Sequence, residues 1–336
     1  MSGTLTSIKP RIGFAGVGWI GKSRMQAINN HHLAEMAAAA DPDAAVTEQL
    51  KQEMPGLQTY STFEAMLESE LEGIVIATPS ALHAGQALAA LKKGKAVFCQ
   101  KPLGRNEQET AKVMETARRR DLLLGVDFSY RYTQAVEQVK QTIASGELGK
   151  IYGIHLTFHN AYGPDKPWYR DADLSGGGCL MDLGIHLVDL LYWVLDSPQI
   201  TDLHGRLFHQ GKPLNKDLRH VEDYASVQLT LNDDTAVQLS CSWNLPAGKD
   251  AIIEAAFYGE NGGAAFRNVN GSFYDFIAEK YSGTSAEILA EPPDDWGGRG
   301  ALLWAEKLAE GNKFDSPAAV YTEVAGALDL IYQNCS

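Results

Sequence analysis

Residues Arg11 to Gly21 read R-I-G-F-A-G-V-G-W-I-G, a short apolar run passing into G-x-G-x-x-G. The run Arg11–Ala15 predicts a β-strand and Gly16–Asn29 predicts the helix after it. Placement gives the motif its weight: spaced glycines recur by chance, whereas glycines between a strand and a helix do so far less. Gly16, Gly18 and Gly21 permit a tight turn in which backbone N–H groups approach a pyrophosphate at the helix N-terminus, where the peptide dipoles favour an anion. Trp19 and Ile20 fill the positions between the last two glycines. Asp41, twenty residues beyond Gly21, closes a second predicted strand, Glu35–Ala40. A carboxylate there accepts hydrogen bonds from ribose hydroxyls and repels a 2′-phosphate. The next basic residue is Lys51, so the pattern points to NAD, with NADP disfavoured. A plain tight turn and an ordinary Asp before proline are the competing explanations.

The rest of the first third continues the alternation. Helices over Ala44–Gln52, Thr62–Leu67, Ser80–Lys93 and Glu107–Arg120 interleave with strands over Gly73–Ala77, Ala96–Cys99 and Leu122–Val126. This is the pattern of a doubly wound parallel α/β sheet. Alanine prefers helix, so the strand Glu35–Ala40 rests on position more than on propensity. From Asp127 the pattern changes. A helix over Thr133–Ala144 and a long alternating strand, Ile151–Asn160, lead into a Gly-, Pro- and aromatic-rich loop, 161–178, and a helix over Cys179–Leu195. Strands follow over Gln199–Phe208, Asp223–Asn232, Thr235–Trp243, Ala251–Tyr258 and Gly263–Phe266, with a hairpin turn at Asn232-Asp233-Asp234. Helices over Gly300–Glu310 and Pro317–Tyr332 close the chain. Two domains are expected, 1–127 and 128–336.

Composition narrows the partners. The 336 residues carry 29 basic and 42 acidic side chains, a net charge of −13, which repels phosphate backbones and anionic lipid. Neither nucleic acid nor a membrane is an expected partner. Four cysteines, Cys99, Cys179, Cys241 and Cys335, lie far apart, with no CxxC pair and no zinc spacing. Met1–Arg11 has no apolar signal-like core, and the longest apolar run, Ile185–Leu195, is broken by His186 and Asp189. A soluble cytoplasmic protein without a bound metal is expected.

Two further clusters carry chemistry. Gln100-Lys101-Pro102 follows a predicted parallel strand, and ligands of open α/β sheets sit beyond the carboxyl ends of strands. A lysine there can hydrogen-bond a hydroxyl and stabilise a developing alkoxide, or it is a solvated surface residue. The second cluster runs G-G-G-C-L-M-D-L-G-I-H from Gly176 to His186. Asp182 and His186, at i and i+4, project from one helix face, with Asp189 on nearly the same face. Three glycines exceed what a helix cap requires, which suggests backbone running close to a ligand. Histidine is a suitable proton acceptor for alcohol oxidation, and a neighbouring carboxylate stabilises its charged form. The same spacing also fits a core histidine bonded to Asp182, or a metal set completed by Asp189.

These clusters, in this order, resemble the glucose–fructose oxidoreductase/inositol dehydrogenase (Gfo/Idh/MocA) family over nearly the whole chain. The likeness includes the glycine motif, Ala77-Thr78-Pro79 with His83, the run Lys93 to Pro102, Tyr130-Arg131-Tyr132, Trp168 to His186, Glu222-Asp223-Tyr224 and Ser242-Trp243. It implies a Rossmann domain followed by an α+β domain built on a large, mostly antiparallel open sheet, assembled as homodimers or homotetramers through that sheet. It implies hydride transfer between nicotinamide and a hydroxyl carbon of a sugar, inositol or other polyol. Carried over, Lys101, Asp182 and His186 form the catalytic set, with His186 as general base. Gly16, Gly18, Trp19, Ile20, Gly21, Asp41, Thr78, Pro79, His83, Gln100, Lys101 and Arg131 hold the cofactor. Asn160, Trp168 and Arg170 join Lys101, Asp182 and His186 at the substrate. The family usually has Glu where this chain has Gln100; the amide removes an anion beside Lys101, so wild type and Gln100→Glu are expected to differ in pH profile. Other readings are glycosidic cleavage with transient redox, and a dinucleotide or sugar sensor without turnover.

Overall fold

The computed structural model describes residues 9–214, 220–315, 318 and 320–335. The chain divides into two compact units. The first comprises Met1–Leu103, Ala111–Asp127 and Gly297–Ala318; the second comprises Gly104–Thr110, Phe128–Trp296 and Ala319–Ser336.

In the first unit, strands β1 (Arg11–Ala15), β2 (Glu35–Ala40), β3 (Gln58–Tyr60), β4 (Gly73–Ile76), β5 (Ala96–Cys99) and β6 (Leu124–Val126) form a parallel sheet in the order β3-β2-β1-β4-β5-β6. Helices α1 (Trp19–Asn30), α2 (Ala44–Glu53), α3 (Phe63–Leu67), α4 (Ser80–Lys92) and α5 (Glu107–Arg120) connect them. β4 and β5 are buried along their whole length, as a sheet covered on both faces requires. The alanines of β2 are buried too, so tertiary position overrides their helical preference. The strand order reverses between β1 and β4, the switch point beyond whose carboxyl ends such sheets bind ligands. β3 was not expected: Gln-Thr-Tyr is half-exposed and has no apolar run to mark it.

The expected assignment of everything after Asp127 to a second domain needs correction. Helix α9 (Arg299–Glu310) returns to the first unit, where Ala301, Trp304, Ala305 and Leu308 join Ile12, Phe14, Val75 and Phe98 in one core. The Trp304 ring meets Phe98 at 5.8 Å between centroids. It also crowds Gly73, where a Cβ would stand 2.7 Å from the indole. Periodicity marked α9 as amphipathic; it carries no information on which sheet the apolar stripe covers.

The second unit holds β7 (Ile151–Asn160), β8 (Ile200–His209), β9 (Lys212–Pro213), β10 (Tyr224–Leu231), β11 (Ala236–Ser242), β12 (Ala251–Gly259), β13 (Gly262–Asn268), β14 (Phe276–Ser282) and β15 (Ser285–Ala290). They form one sheet in the order β15-β14-β13-β12-β7-β11-β10-β8-β9, antiparallel except where β11 runs parallel to β7. Buried and exposed positions alternate along β10 and β11, as expected for a sheet with one covered face. Helices α6 (Gln134–Ala144), α8 (Ile185–Leu195) and α10 (Val320–Asn334) cover that face, with a short turn of helix, α7 (Ala172–Ser175), in the loop before α8. The start of the last helix predicted at Pro317 lies outside the described residues. β9, β14 and β15 had no clear sequence signal, being short or carrying polar residues on the half-exposed side. The stretch Ala172–Leu195 has a mean hydropathy of 1.5 and meets the length and composition of a membrane span, but it is 83% buried within the protein and serves as core.

Candidate functional site

The glycine turn is built by the chain's own contacts. At Gly16, whose φ is +78°, a Cβ would lie 2.6 Å from the Ala77 carbonyl oxygen; at Gly21 it would lie 2.1 Å from that of Gly16. Any side chain at either position displaces backbone. At Gly18 a Cβ would meet nothing within 4 Å. That glycine therefore leaves open the N-terminus of α1, which has no capping side chain and no acidic residue in its first turn. A dinucleotide pyrophosphate fits this arrangement of orphan N–H groups and positive dipole end. Trp19 beside it is 72% exposed. Asp41 ties β2 to the turn, its Oδ2 accepting from the Val17 N–H at 3.0 Å and its Oδ1 from the Asp43 N–H at 3.0 Å.

Beyond β4, Thr78 donates through Oγ1 to Gln86 at 2.7 Å, and Pro79 precedes α4. His83 is buried, with Nδ1 2.7 Å from the Pro102 carbonyl and Nε2 2.6 Å from that of Thr78. The ring thus lies between two loops, with its N–H available to one of the two carbonyls. Burial pushes this imidazole below its ordinary pKa, with the Lys101 charge acting the same way against the two carbonyls. A folded-state pKa below the unfolded value of about 6.5 means that the unfolded chain takes up the proton first. Stability present above that pH is lost as the pH falls through it. Between pH 6.5 and 5, wild type is expected to lose up to about 1.4 kcal/mol per pH unit more than His83→Gln; urea midpoints measured at both pH values check this.

Gln100 donates through Nε2 to Asp127 Oδ2, and the same oxygen accepts from Arg24 Nε at 2.6 Å. Arg24 and Asp127 are both buried. An anion therefore stands beside Gln100 after all, supplied by Asp127 just beyond β6. Lys101 follows, half-buried, on the turn after β5.

In the second unit the predicted helix from Cys179 begins with a π-helical turn, Leu180–Gly184, in which the Ile185 N–H donates to the Leu180 carbonyl before α8 starts. Asp182 lies on this turn and accepts from Trp243 Nε1 at 3.1 Å. His186, on the first turn of α8, is buried against the edges of Tyr130 (4.9 Å) and Phe128 (6.4 Å) and beside Phe158 (6.3 Å). Burial, with Asp182 second, pushes the Tyr130 and Tyr169 phenols up, so both stay neutral donors.

Two of the expected site groups find partners within the chain. The Arg131 guanidinium is buried and held bidentate by Asp189. It also lies over the rings of Trp193 (4.6 Å) and Phe128 (5.2 Å). Asp189 is thereby withdrawn from any metal set with Asp182 and His186, and the described residues contain no group of three that would hold an ion. The triple glycine is approached closely by the chain itself. A Cβ at Gly177 would lie 2.0 Å from the Tyr332 hydroxyl, and one at Gly178 1.9 Å from the Glu222 carbonyl oxygen. The Glu222 carboxylate accepts from the Gly178 and Leu180 N–H groups, at 3.0 and 2.8 Å, and from the Tyr332 hydroxyl at 2.8 Å. Glu222 thus anchors the turn that carries Asp182, a role no spacing announced. Gly178→Ala is expected to destabilise the protein by about 3 kcal/mol, the upper range for overpacking, because backbone and not a side chain must move; a denaturant titration reads it.

In the loop before α7, Trp168 stacks on Tyr169 at 3.8 Å, and Tyr169 meets Trp243 edge-on at 6.5 Å. Asn160 Oδ1 accepts from the Tyr162 N–H at 2.8 Å. Arg170 lines a cavity of about 850 Å³ with His209, His220, Tyr224 and Trp243, whereas Asn160 and Trp168 are not among its walls. His209 and His220 escaped the sequence reading because no spacing links them.

Comparison with known proteins agrees with this architecture. Residues 10–128 match the family model described as "Oxidoreductase family, NAD-binding Rossmann fold", and residues 136–265 match "GFO/IDH/MocA C-terminal domain". The chain is 29% identical over 237 residues to glucose-6-phosphate 3-dehydrogenase of Bacillus subtilis (strain 168), covering 69% of this chain and 67% of that protein. It is 31% identical over 185 residues to the rhizopine catabolism protein MocA of Rhizobium meliloti, covering 55% and 56%. Among solved structures, levoglucosan dehydrogenase in complex with NADH superposes with a TM-score of 0.82 at 19% identity, covering 97% of this chain and 96% of that one. KijD10, a 3-ketoreductase from Actinomadura kijaniata solved with NADP, gives 0.82 at 21% identity, covering 97% and 98%.

Proposed function

This chain belongs to the GFO/IDH/MocA family of oxidoreductases, and from that premise we propose that it is an NAD-dependent dehydrogenase of a sugar, inositol or related polyol. The observation that carries the cofactor half is the open α1 N-terminus at Gly18, framed by Gly16 and Gly21, which the chain's own backbone requires. Gly16, Gly18, Trp19, Ile20 and Gly21 hold the pyrophosphate side, Asp41 the ribose, and Thr78, Pro79 and Gln100 the neighbouring strand ends. When bound, the nicotinamide supplies the hydride acceptor or donor. His186 takes the hydroxyl proton, Asp182 orients it or the substrate, and Lys101 stabilises negative charge developing on the reacting oxygen. Asn160 and Trp168 contribute to the substrate pocket with Arg170.

Asp41 favours NAD because a 2′-phosphate beside it adds like charge. Asp41→Ala is expected to weaken NAD binding and to lower the NAD-to-NADP ratio of kcat/KM by about tenfold, about 1.4 kcal/mol; an unchanged ratio assigns Asp41 to the Val17 turn alone. The buried free thiols fit the reducing cytoplasm. The uncovered sheet face, which presents His155, Gln228 and Gln238 as one cross-strand row, fits assembly into a homodimer or homotetramer. The test of function is nicotinamide absorbance during a screen of sugars, inositols and sugar acids with NAD and NADP. Substrate-dependent NADH formation that disappears in Lys101→Ala is the expected result. Confirmed NAD binding with no reduction across the panel would sink the dehydrogenase reading.

A further inference from the structure

We propose that the 850 Å³ cavity of the second unit is a subsite for an anionic substituent of the sugar, a phosphate or a carboxylate, remote from the reacting hydroxyl. This rests on the dehydrogenase reading for the sugar and goes beyond it in naming the charge of the substrate. Trp243 fixes the location: it is one of the cavity's lining residues, and its Nε1 donates to Asp182 at 3.1 Å, so the cavity and the proposed catalytic carboxylate share a residue.

The charge follows from the lining. In a chain of net charge −13, this wall gathers Arg170, His209 and His220 against a single carboxylate among the described residues, Asp223. That carboxylate already accepts from the Gln210 N–H at 2.8 Å. Arg170 has no ion pair among the described residues, although its planar donor fork matches carboxylate and phosphate oxygens. His209 and His220 stack at 4.6 Å with planes 9° apart. The Val221 carbonyl accepts from His209 Nδ1 at 2.9 Å and fixes that ring. An anion at Arg170 meets the guanidinium's positive charge and its fork of N–H donors. Tyr224 and Phe208 add aromatic residues to the wall on the side of the sugar that carries the anion. The volume falls within the range of about 300–1,000 Å³ typical of ligand pockets and leaves room for a sugar bearing a further group.

Calorimetry on the NAD-loaded protein with methyl β-D-glucoside, glucuronate and glucose 6-phosphate tests this, with NADH formation followed for each. At least one of the two anions is expected to bind about tenfold more tightly than the neutral glucoside, with the stronger one naming the source of the charge. Arg170→Gln is expected to reduce that preference to about threefold or less, and Arg170→Lys to keep part of it, with unchanged circular dichroism for both. Glucoside binding equal to that of both anions, or a preference that Arg170→Gln leaves intact, would overturn the subsite. Anion binding that depends on Arg170 without NADH formation would support the subsite while sinking the dehydrogenase reading. Neutral turnover without anion preference would do the reverse.

Discussion

His186→Ala is expected to lower kcat by about 10²- to 10⁴-fold, the usual contribution of a positioned general base, with NAD affinity within a factor of about two. The ring is buried by Tyr130, Phe128 and Phe158, and its placement follows from the first turn of α8 immediately after the π-helical turn that carries Asp182. Cofactor affinity separates from turnover because the glycine turn and Asp41 belong to a different compact unit. Lys101→Ala, on the turn after β5, is expected to cost about 10²- to 10³-fold in kcat, the effect of losing one preorganised donor to a developing oxyanion. The double variant should then be little worse than the poorer single one, because groups that act on one proton transfer are not additive. Single-turnover absorbance with the substrate found in the screen measures all three. A near-normal rate in either variant removes that residue from the mechanism.

The second large effect concerns stability. Asp189→Ala is expected to destabilise the protein by about 3–5 kcal/mol, because it strands a buried guanidinium. The two side chains are 4% and 2% exposed, and the ring faces around Arg131 replace neither lost hydrogen bond. Burial works to raise the Asp189 pKa while Arg131 opposes it, so the pair exists only as a pair. Replacing both, as in Arg131→Met with Asp189→Leu, should recover most of the loss. Urea unfolding reads the energies. NAD titration of the double variant reads the role: retained affinity confirms that Arg131 holds the core of its unit, and lost affinity at recovered stability would restore the cofactor assignment.

What was legible in the sequence depended on whether the physical constraint was local. The strand–glycine–helix order at Arg11–Gly21 is local, and so is the burial of β4 and β5 that makes Gly73–Ile76 and Ala96–Cys99 continuous apolar runs. Asp182 and His186 were recognisable by their spacing; that Trp243 bonds Asp182 was not, since 61 residues separate the two. Gly176 to Gly178 stand out for close approach, and the approaching atoms belong to Arg105, Tyr332 and Glu222, all distant in the sequence. The buried partners of Arg131 and His83 were illegible for a related cause: they lie 58 and 19 residues away in the sequence. Short, polar strands such as β3 and β9 gain their structure from neighbours alone.

The return of α9 to the first unit makes the order of synthesis matter. When the ribosome has completed Asp127, all six parallel strands exist, yet the surface that Trp304 and Leu308 will cover is still bare, with Phe98 at its centre and Gly73 beneath. The intervening 128–296, which belong to the other unit, must all be made before that surface closes. The nascent nucleotide-binding half therefore waits, with an open apolar seam, for a helix encoded after residue 296. It is during that interval that chaperones have the most to hold, and the Rossmann half, although begun first, closes only after most of the other unit has been made.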